Sequence, residues 1–400
     1  MRRTFLAALV VALAPWALPA GAAEPYQSLA RSLVGDGQGV FVQAEDGTVL
    51  AAQAEAWPVH PASVTKVATT LALLERLGSD HRFVTRILTA GPWQDGHLHG
   101  DLVVEASGDP FFVSEHAFAI LERLHDAGLQ RIEGTLVVRG PLLFNWKPDP
   151  TGARLRAVLT GESEREAWPR ARPAHAPLDL ADVALHVDGA ASAGDEPGRH
   201  GAPEGVLAVH RSPTLRAIVK ALNGYSNNVF HQLSDTVGGP SAVEASARAH
   251  LPEAMRGEVR IDNAAGAGKT NRLSPRAAVA VLAALEQALA TRGLDLPDVL
   301  PVSGVDAGTL RNRFDGPGEH ATVVGKTGTS GEVGASALVG VLRTRRHGRV
   351  RFAVLNSWVP VPEARCRQDA FVRALLAAAG AEPWPWAPLA LAPVAAAALQ

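Results

Sequence analysis

Strand-forming segments near both ends of this chain constrain its fold more than any other sequence feature. Apolar and polar residues alternate over residues 39–52 around Asp46-Gly47, a dipeptide typical of two-residue hairpin turns. Residues 335–342 and 350–357 predict a second pair of strands. Helical patterns fill much of the chain between these two pairs. We therefore expect one α/β domain whose sheet combines strands from both ends of the chain.

Three segments between the terminal strands carry helix signals. Residues 63–77 present an apolar stripe, and Ser212 and Ser274 are each followed by proline, the pattern of an N-cap before the first helical position. Residues 83–145 instead look strand-rich, and residues 146–205 predict loops. The predicted fold is an antiparallel sheet flanked by helices, with a smaller strand-rich domain inserted into it.

The first residues predict export. Arg2 and Arg3 precede an apolar run over residues 5–18, and Ala20 and Ala22 place small residues at a cleavage site. The apolar run is short for a membrane anchor, which favours cleavage. We expect a mature protein that starts near residue 23 and is located in the periplasm or cell envelope.

The C-terminal segment predicts a tail without regular structure. It contains four prolines and carries no charge after Glu382. Prolines at this density are incompatible with a membrane-spanning helix, because each one removes a backbone donor. We expect a disordered or surface-draped tail whose contact with a membrane, through Trp384 and Trp386, is weak at most.

Composition excludes several classes of protein. The formal net charge of −2 lacks the basic excess that nucleic-acid binding requires. The single cysteine, Cys366, excludes an internal disulfide. His97 and His99 lack a third residue at metal-ligand spacing. We therefore expect no cofactor, no metal and no nucleic-acid partner.

The first chemical motif is Ser63-Val64-Thr65-Lys66 at the start of the predicted helix. Residues three apart lie on one helix face, so the Lys66 amine can reach the Ser63 hydroxyl. A serine needs a base to become a nucleophile, and a lysine serves when burial and a nearby cation lower its pKa. The motif is common, and a helix cap followed by a surface lysine is the structural alternative.

Two further motifs supply groups that acyl transfer uses. Ser226 and Asn228 stand at a helix start, where the serine can shuttle a proton and the amide can bind a carbonyl. Capping of that helix is the structural alternative. In Lys326-Thr327-Gly328-Thr329 a cation and two hydroxyls suit a carboxylate, and the glycine admits a substrate backbone. The backbone N–H groups of Ser63 and Thr329 are candidates for an oxyanion hole.

In this order the three motifs resemble those of the penicillin-binding D-alanyl-D-alanine carboxypeptidases and endopeptidases, of the DacB-like low-molecular-mass class with an inserted domain. Flanking segments at 61–63, 77–80, 100–110 and 300–314 resemble the same family. The fold implied is a penicilloyl-serine transferase (β-lactamase/transpeptidase-like) domain. The predicted division is a signal peptide at 1–23, a discontinuous catalytic domain at 24–82 and 206–380, a reduced inserted domain at 83–205, and a Pro/Ala-rich tail at 381–400.

The resemblance implies a role for each matched residue. Ser63 would be acylated by the penultimate D-alanine of a peptidoglycan stem peptide ending in D-Ala-D-Ala, with Lys66 as general base and Ser226 as proton shuttle. β-Lactams would inhibit by acylating the same serine. The substrate-binding residues implied are Asn228, Lys326, Thr327, Gly328 and Thr329.

Two departures and two alternatives accompany this interpretation. The interval between Ser63 and Ser226 is short for a full insertion, which leaves endopeptidase activity on crosslinks open. Residues 265–272 lack the hydroxyls that the family carries in a Ser-Gly-Leu-Ser stretch. The alternative functions are a β-lactamase or esterase on the same fold, and a non-catalytic envelope protein that binds peptidoglycan.

Overall fold

The computed structural model of the chain describes residues 24–171, 179–194, 205–225 and 228–387. Three sequence predictions fall outside these residues: the signal peptide at 1–23, the proton-shuttle role of Ser226, and the tail beyond residue 387. The α-helices are α1 (Glu24–Leu29), α2 (Lys66–Leu77), α3 (Ser114–Asp126), α4 (Ala153–Leu159), α5 (Trp168–Ala171), α6 (Leu180–Val183), α7 (Leu215–Gly224), α8 (Val229–Asp235), α9 (Gly239–Ala249), α10 (Pro275–Ala290) and α11 (Val361–Ala379). Short turns of other helix types are Ala30–Val34, Ala62–Thr65, Glu253–Glu258 and Leu296–Asp298.

The main sheet joins strands from both ends of the chain, as the sequence predicts. Its order is β16 (Val323–Ser330), β17 (Ala335–Thr344), β18 (Gly348–Ser357), β1 (Gly39–Gln43) and β2 (Val49–Gln53), and every neighbouring pair is antiparallel. At the predicted hairpin, Gly47 has a φ of +89° and the Thr48 N–H donates to Asp46 Oδ1 at 2.9 Å. The strands are β1 (Gly39–Gln43), β2 (Val49–Gln53), β3 (Val84–Ala90), β4 (Trp93–Gln94), β5 (His97–Leu98), β6 (Asp101–Ala106), β7 (Arg131–Ile132), β8 (Leu136–Arg139), β9 (Leu143–Phe144), β10 (Lys147–Pro148), β11 (His186–Val187), β12 (Ala191–Ala193), β13 (Gly205–Arg211), β14 (Val259–Arg260), β15 (Arg272–Leu273), β16 (Val323–Ser330), β17 (Ala335–Thr344) and β18 (Gly348–Ser357).

Helices cover both faces of the main sheet. Successive strand residues point to opposite faces, so Val339 and Val341 pack into a core shared with α2 and α10. Leu338 and Leu342, which flank this pair in sequence, pack into a second core shared with α1 and α11. This arrangement is the predicted antiparallel sheet flanked by helices. In the described part of the chain, no helix is both long and apolar enough to cross a membrane.

A second sheet, with its own core, is built from residues between α2 and α7. Its order is β12-β8-β6-β3-β13, and α3 packs Phe118 and Leu121 against it. The sequence predicts strands and no helix in this region, so α3 corrects that prediction. The core-facing residues of α3 recur with the helical period, but the segments on either side of the helix are rich in strand-forming residues. Short helices such as α4 also occur where loops are predicted. Strand β13 pairs with β3 and runs to Arg211, past the predicted boundary at 205/206; the division into domains stays a prediction.

Residues 381–387 are anchored against the elements that surround the main sheet. Trp384 is only 4 % exposed, its backbone N–H donates to the Ala321 carbonyl at 2.7 Å, and the Arg349 guanidinium lies 5.0 Å from its ring centre. The Trp386 ring lies 4.7 Å from Lys220 Nζ. Disorder is therefore wrong for these residues. They lie along the surface, which is the other expected alternative, and Trp384 buries its ring in the core that the main sheet shares with α2 and α10.

We expect Trp384→Ala to lower the free energy of unfolding by about 3–5 kcal/mol, the usual cost of emptying a buried aromatic site. Trp57→Ala is the matched control, since Trp57 is 71 % exposed and its replacement should cost less than about 0.5 kcal/mol. Urea denaturation followed by far-ultraviolet circular dichroism measures both. Equal losses for the two variants would contradict a buried anchor at Trp384.

Candidate active site

Ser63 and Lys66 meet at the start of α2. Ser63 lies in the 3-10 turn Ala62–Thr65, and Lys66 begins the α-helix that follows. Lys66 Nζ lies 2.8 Å from Ser63 Oγ, so the contact expected from their spacing is present. Ser63 is 6 % exposed and Lys66 is fully buried. A hydroxyl and an amine, the pair of groups that serine nucleophilic catalysis uses, are thus in hydrogen-bond contact with little exposure to solvent.

The surroundings of Lys66 favour its neutral form. Burial and the charge of Lys326 lower the pKa of Lys66 to about 7. Its amine also donates to the Ala265 carbonyl at 2.5 Å and lies 5.8 Å from the centre of the Phe230 ring. A neutral amine can donate to Ala265 and still keep a lone pair for the Ser63 hydroxyl proton. Lys66 is therefore equipped to act as a base near neutral pH.

A strained backbone precedes Ser63. Ala62 has a φ of +47°, a conformation that residues with a Cβ rarely adopt. Its N–H donates to His60 Nδ1 at 3.2 Å, a bond that requires a neutral imidazole. Burial and nearby Arg272 lower the pKa of His60, which favours that neutral form. His60 thus supports the turn that presents Ser63.

The loop that supplies the Ala265 carbonyl is held by two asparagines. Asn271 Oδ1 accepts the N–H groups of Asp262 and Asn263, while its Nδ2 donates to Thr65 Oγ1 at 3.1 Å. Asn263 Oδ1 accepts the Ala265 N–H at 2.9 Å. The segment that lacks the family's hydroxyls therefore still contacts the first motif, through a backbone carbonyl in a position that asparagine side chains define.

Strand β16 passes directly over the Ser63 turn. A Cβ added to Gly328 would lie 2.5 Å from the Pro61 carbonyl oxygen and 3.0 Å from the Ser63 nitrogen. These neighbours are backbone atoms, which cannot rotate away as a flexible side chain can. Gly328 is thus the residue that lets the third motif lie against the first.

We expect Gly328→Ala to reduce the rate of penicillin acylation by about 100-fold, since a displacement of roughly 1 Å at a reacting centre costs this much. Gly331→Ala is the matched control, because a Cβ there would meet no atom within 4 Å. Stopped-flow acylation with a fluorescent penicillin measures both variants. Equal rates for the two would show that the close approach of β16 is unimportant.

The side chains of the third motif differ from one another in burial and in hydrogen-bond partners. Lys326 is fully buried, its Nζ donates to the Thr327 carbonyl at 2.9 Å, and burial lowers its pKa to about 7. Thr327 Oγ1 lies 2.7 Å from Thr309 Oγ1, and the Thr309 N–H donates to the Gly224 carbonyl at 2.9 Å. Thr309 therefore connects the end of α7, just before the second motif, with the third motif.

The second motif is only partly described. Ser226 lies outside the described residues, while Asn228 precedes α8 and is exposed. Phe230, on α8, faces Lys66 and places this helix beside the first motif. Of the predicted site residues, the structure brings Ser63, Lys66 and Gly328 into one compact group, with Lys326 close enough for its charge to act on Lys66.

Several contacting groups were not predicted from the sequence. Asn263 and Asn271 sit in a loop that contains glycines. Asparagine side chains in such loops often bond to nearby backbone groups, so the sequence carried a signal for these two contacts. The Ala265 carbonyl carries no side-chain signal at all. The other unpredicted contacts are those of His60, Thr309 and Arg365, the last of which donates to Thr329 Oγ1 at 2.9 Å.

Comparison with protein families gives one match to most of the chain. A model of the D-Ala-D-Ala carboxypeptidase 3 (S13) family matches residues 27–143 and 179–377. Among curated proteins, D-alanyl-D-alanine carboxypeptidase DacB of Haemophilus influenzae is 35% identical over 77 residues. That alignment covers 19% of this chain and 16% of the relative, so the match spans a small part of that protein.

Solved structures share the fold over nearly the whole chain. The Bd0816 predatory endopeptidase of Bdellovibrio bacteriovorus, in complex with immunity protein Bd3460, has a TM-score of 0.71 at 23% identity and covers 90% of this chain and 99% of its own. Penicillin G-acylated Bd3459 from the same organism gives 0.68 at 22% identity, with coverages of 88% and 95%. Penicillin-binding protein 4 (dacB) of Haemophilus influenzae gives 0.66 at 18% identity, with coverages of 88% and 99%. At these identities the likeness establishes the fold.

Proposed function

The chain belongs to the D-Ala-D-Ala carboxypeptidase 3 (S13) family, and from this premise we propose that it is a serine-type D-Ala-D-Ala carboxypeptidase. Its substrate would be a peptidoglycan stem peptide, from which it releases terminal D-alanine through an acyl-enzyme on Ser63. The observation that carries the proposal is the 2.8 Å contact between Ser63 Oγ and the buried Lys66 amine.

Acylation begins when neutral Lys66 accepts the hydroxyl proton of Ser63. The Ser63 oxygen attacks the carbonyl carbon of the penultimate D-alanine, and the negative charge develops on the carbonyl oxygen. We assign its stabilisation to the backbone N–H groups of Ser63 and Thr329. The close approach of Gly328 to Ser63 supports this assignment, because it brings the β16 backbone to the nucleophile.

Collapse of the intermediate breaks the C–N bond to the terminal D-alanine. The departing nitrogen takes the proton that Lys66 received, with Ser226 as the shuttle between them. Water then attacks the ester, with Lys66 again as base, and restores the Ser63 hydroxyl. No proton is gained or lost by the enzyme over one cycle.

Substrate binding is assigned to the second and third motifs. The Asn228 amide would bind a substrate carbonyl, and Lys326, Thr327 and Thr329 would hold the terminal carboxylate. The incoming carboxylate favours the charged form of Lys326. A charged Lys326 in turn lowers the pKa of Lys66, so substrate binding would help to keep the base neutral.

The proposal is tested by incubating the purified protein with a peptide ending in D-Ala-D-Ala and with penicillin. We expect release of free D-alanine and a stable penicilloyl adduct that mass spectrometry locates on Ser63. Rapid loss of the adduct would indicate a β-lactamase, and binding without adduct or release would indicate a non-catalytic peptidoglycan-binding protein. An adduct on another residue would refute the assignment of Ser63.

Crosslink cleavage is a second activity to examine in the same assay. The solved structures with similar folds include proteins described as endopeptidases, which motivates a crosslinked stem-peptide dimer as an additional substrate. We further propose that the protein acts in the periplasm or cell envelope, supported by the signal-peptide pattern of residues 1–23.

A further inference from the structure

Among the described residues, no carboxylate forms a salt bridge with an arginine that lies beside the third motif. Arg365, near the start of α11, donates from Nη2 to Thr329 Oγ1 at 2.9 Å. Both residues are exposed. No salt bridge found among the described residues includes Arg365, whereas other arginines of α11 do form them.

The carboxylates closest along the chain already have other partners. Glu363 and Asp369 are the acidic residues of α11; Glu363 pairs with Arg367 on the same helix and Asp369 with Arg313. Pairing of these groups leaves the Arg365 guanidinium available to a ligand. An exposed cation fixed beside a hydroxyl has the chemistry of an anion-binding group.

A buried neighbour fixes the part of α11 that carries Arg365. Gln368 lies three residues later on the same helix face, is fully buried, and donates to Ser336 Oγ at 3.1 Å and Asn356 Oδ1 at 2.9 Å. Ser336 is the register partner of Thr329 across β16 and β17. The same helix face is therefore docked onto the strand pair at the level of Thr329, which directs Arg365 to the end of the third motif.

We propose that Arg365, together with the Thr329 hydroxyl, binds the carboxylate of the substrate's terminal D-alanine and selects for substrates that carry it. This inference rests on the proposed function. Thr329 accepts a hydrogen bond from Arg365 and can donate its own proton to the carboxylate. The guanidinium can add two parallel N–H donors to the same group.

Arg365 supplies a permanent positive charge, which Lys326 lacks. The Lys326 amine is buried and has a pKa of about 7, so in the empty site it is charged only part of the time near neutral pH. A guanidinium stays charged throughout the working range of pH. A permanent cation at the exposed end of the motif would therefore attract the carboxylate before Lys326 gains its proton.

The inference is tested with two peptides that differ only at their last group, one ending in a D-Ala-D-Ala carboxylate and the other in the corresponding amide. We expect Arg365→Gln to lower kcat/KM about 10-fold for the acid, the size of one charge-assisted hydrogen bond, mainly through KM. The amide should be unaffected, and Arg365→Lys should restore part of the loss. Arg373→Gln is the control, since Arg373 lies on the same helix but pairs with Glu319.

Binding gives a second readout that does not require turnover. In a Ser63→Ala background, Arg365→Gln should remove about 10-fold of the preference for the acid over the amide. Equal losses for both peptides, or no loss, would overturn the inference. Wild-type protein that prefers the acid in binding, yet neither releases D-alanine nor forms a penicilloyl adduct, would refute the proposed function and leave the role of Arg365 supported.

Discussion

Ser63→Ala is expected to abolish both release of D-alanine and stable labelling by penicillin. The rate should fall by at least about 1,000-fold, because alanine has no atom that can attack a carbonyl or hold an acyl group. The change removes one oxygen from a side chain that is 6 % exposed, so we expect the fold to persist. Intact-protein mass spectrometry after penicillin treatment measures the labelling, and detection of released D-alanine measures the activity.

Ser79→Ala is the matched control for this experiment. Ser79 is also buried and lies just beyond the opposite end of α2. Its replacement removes the same kind of hydroxyl oxygen at the other end of α2 and should leave labelling unchanged. A penicilloyl adduct that survives in Ser63→Ala would show that another residue is the nucleophile.

Lys66→Met is expected to lower the acylation rate by about 1,000-fold, within the range that general-base catalysis contributes. Methionine keeps much of the buried length of the lysine side chain but cannot accept the Ser63 proton. The variant should remain folded, because it removes a group whose charged form is costly to bury. A variant that acylates at more than a tenth of the wild-type rate would exclude Lys66 as the base.

The pH dependence provides an independent test of the same role. Burial and Lys326 place the pKa of Lys66 at about 7, and only the neutral amine can accept a proton. At saturating penicillin, whose carboxylate keeps Lys326 charged, wild-type acylation should therefore be slow at low pH, rise through about pH 7 and level off above it. Lys66→Met should lose this rise. Acylation rates measured from about pH 5.5 to about pH 8.5 decide the matter, and a flat wild-type profile would contradict the assignment.

The features that the sequence alone determined are local. The hairpin at Asp46-Gly47 follows from a backbone conformation that glycine adopts freely, and Ser274 caps α10 as predicted, with its hydroxyl accepting the Ala277 N–H at 3.1 Å. The contact between Ser63 and Lys66 is equally local, since three residues of helix bring their side chains to one face. Each of these predictions depends on neighbours within four positions along the chain.

A cap that the sequence misplaced shows where local signals end. Ser212 is followed by proline, yet α7 is capped by Thr214, whose hydroxyl accepts the Ala217 N–H at 3.4 Å. The Ser212 hydroxyl instead accepts the Phe83 N–H at 2.8 Å. Phe83 lies just before β3 and is far from Ser212 in sequence. A long-range hydrogen bond thus replaced the local one that the dipeptide predicts.

Only the tertiary structure decided how the first and third motifs come together. The Ala265 carbonyl at Lys66, the approach of Gly328 to Ser63, and the Arg365 contact with Thr329 each join elements that are distant in sequence. Their geometry depends on how helices pack on the sheet, and no periodicity along the chain encodes it. The motif order predicted which chemistry to look for. Packing decided that Lys66 is buried, and burial together with the charge of Lys326 lowers its pKa to about 7.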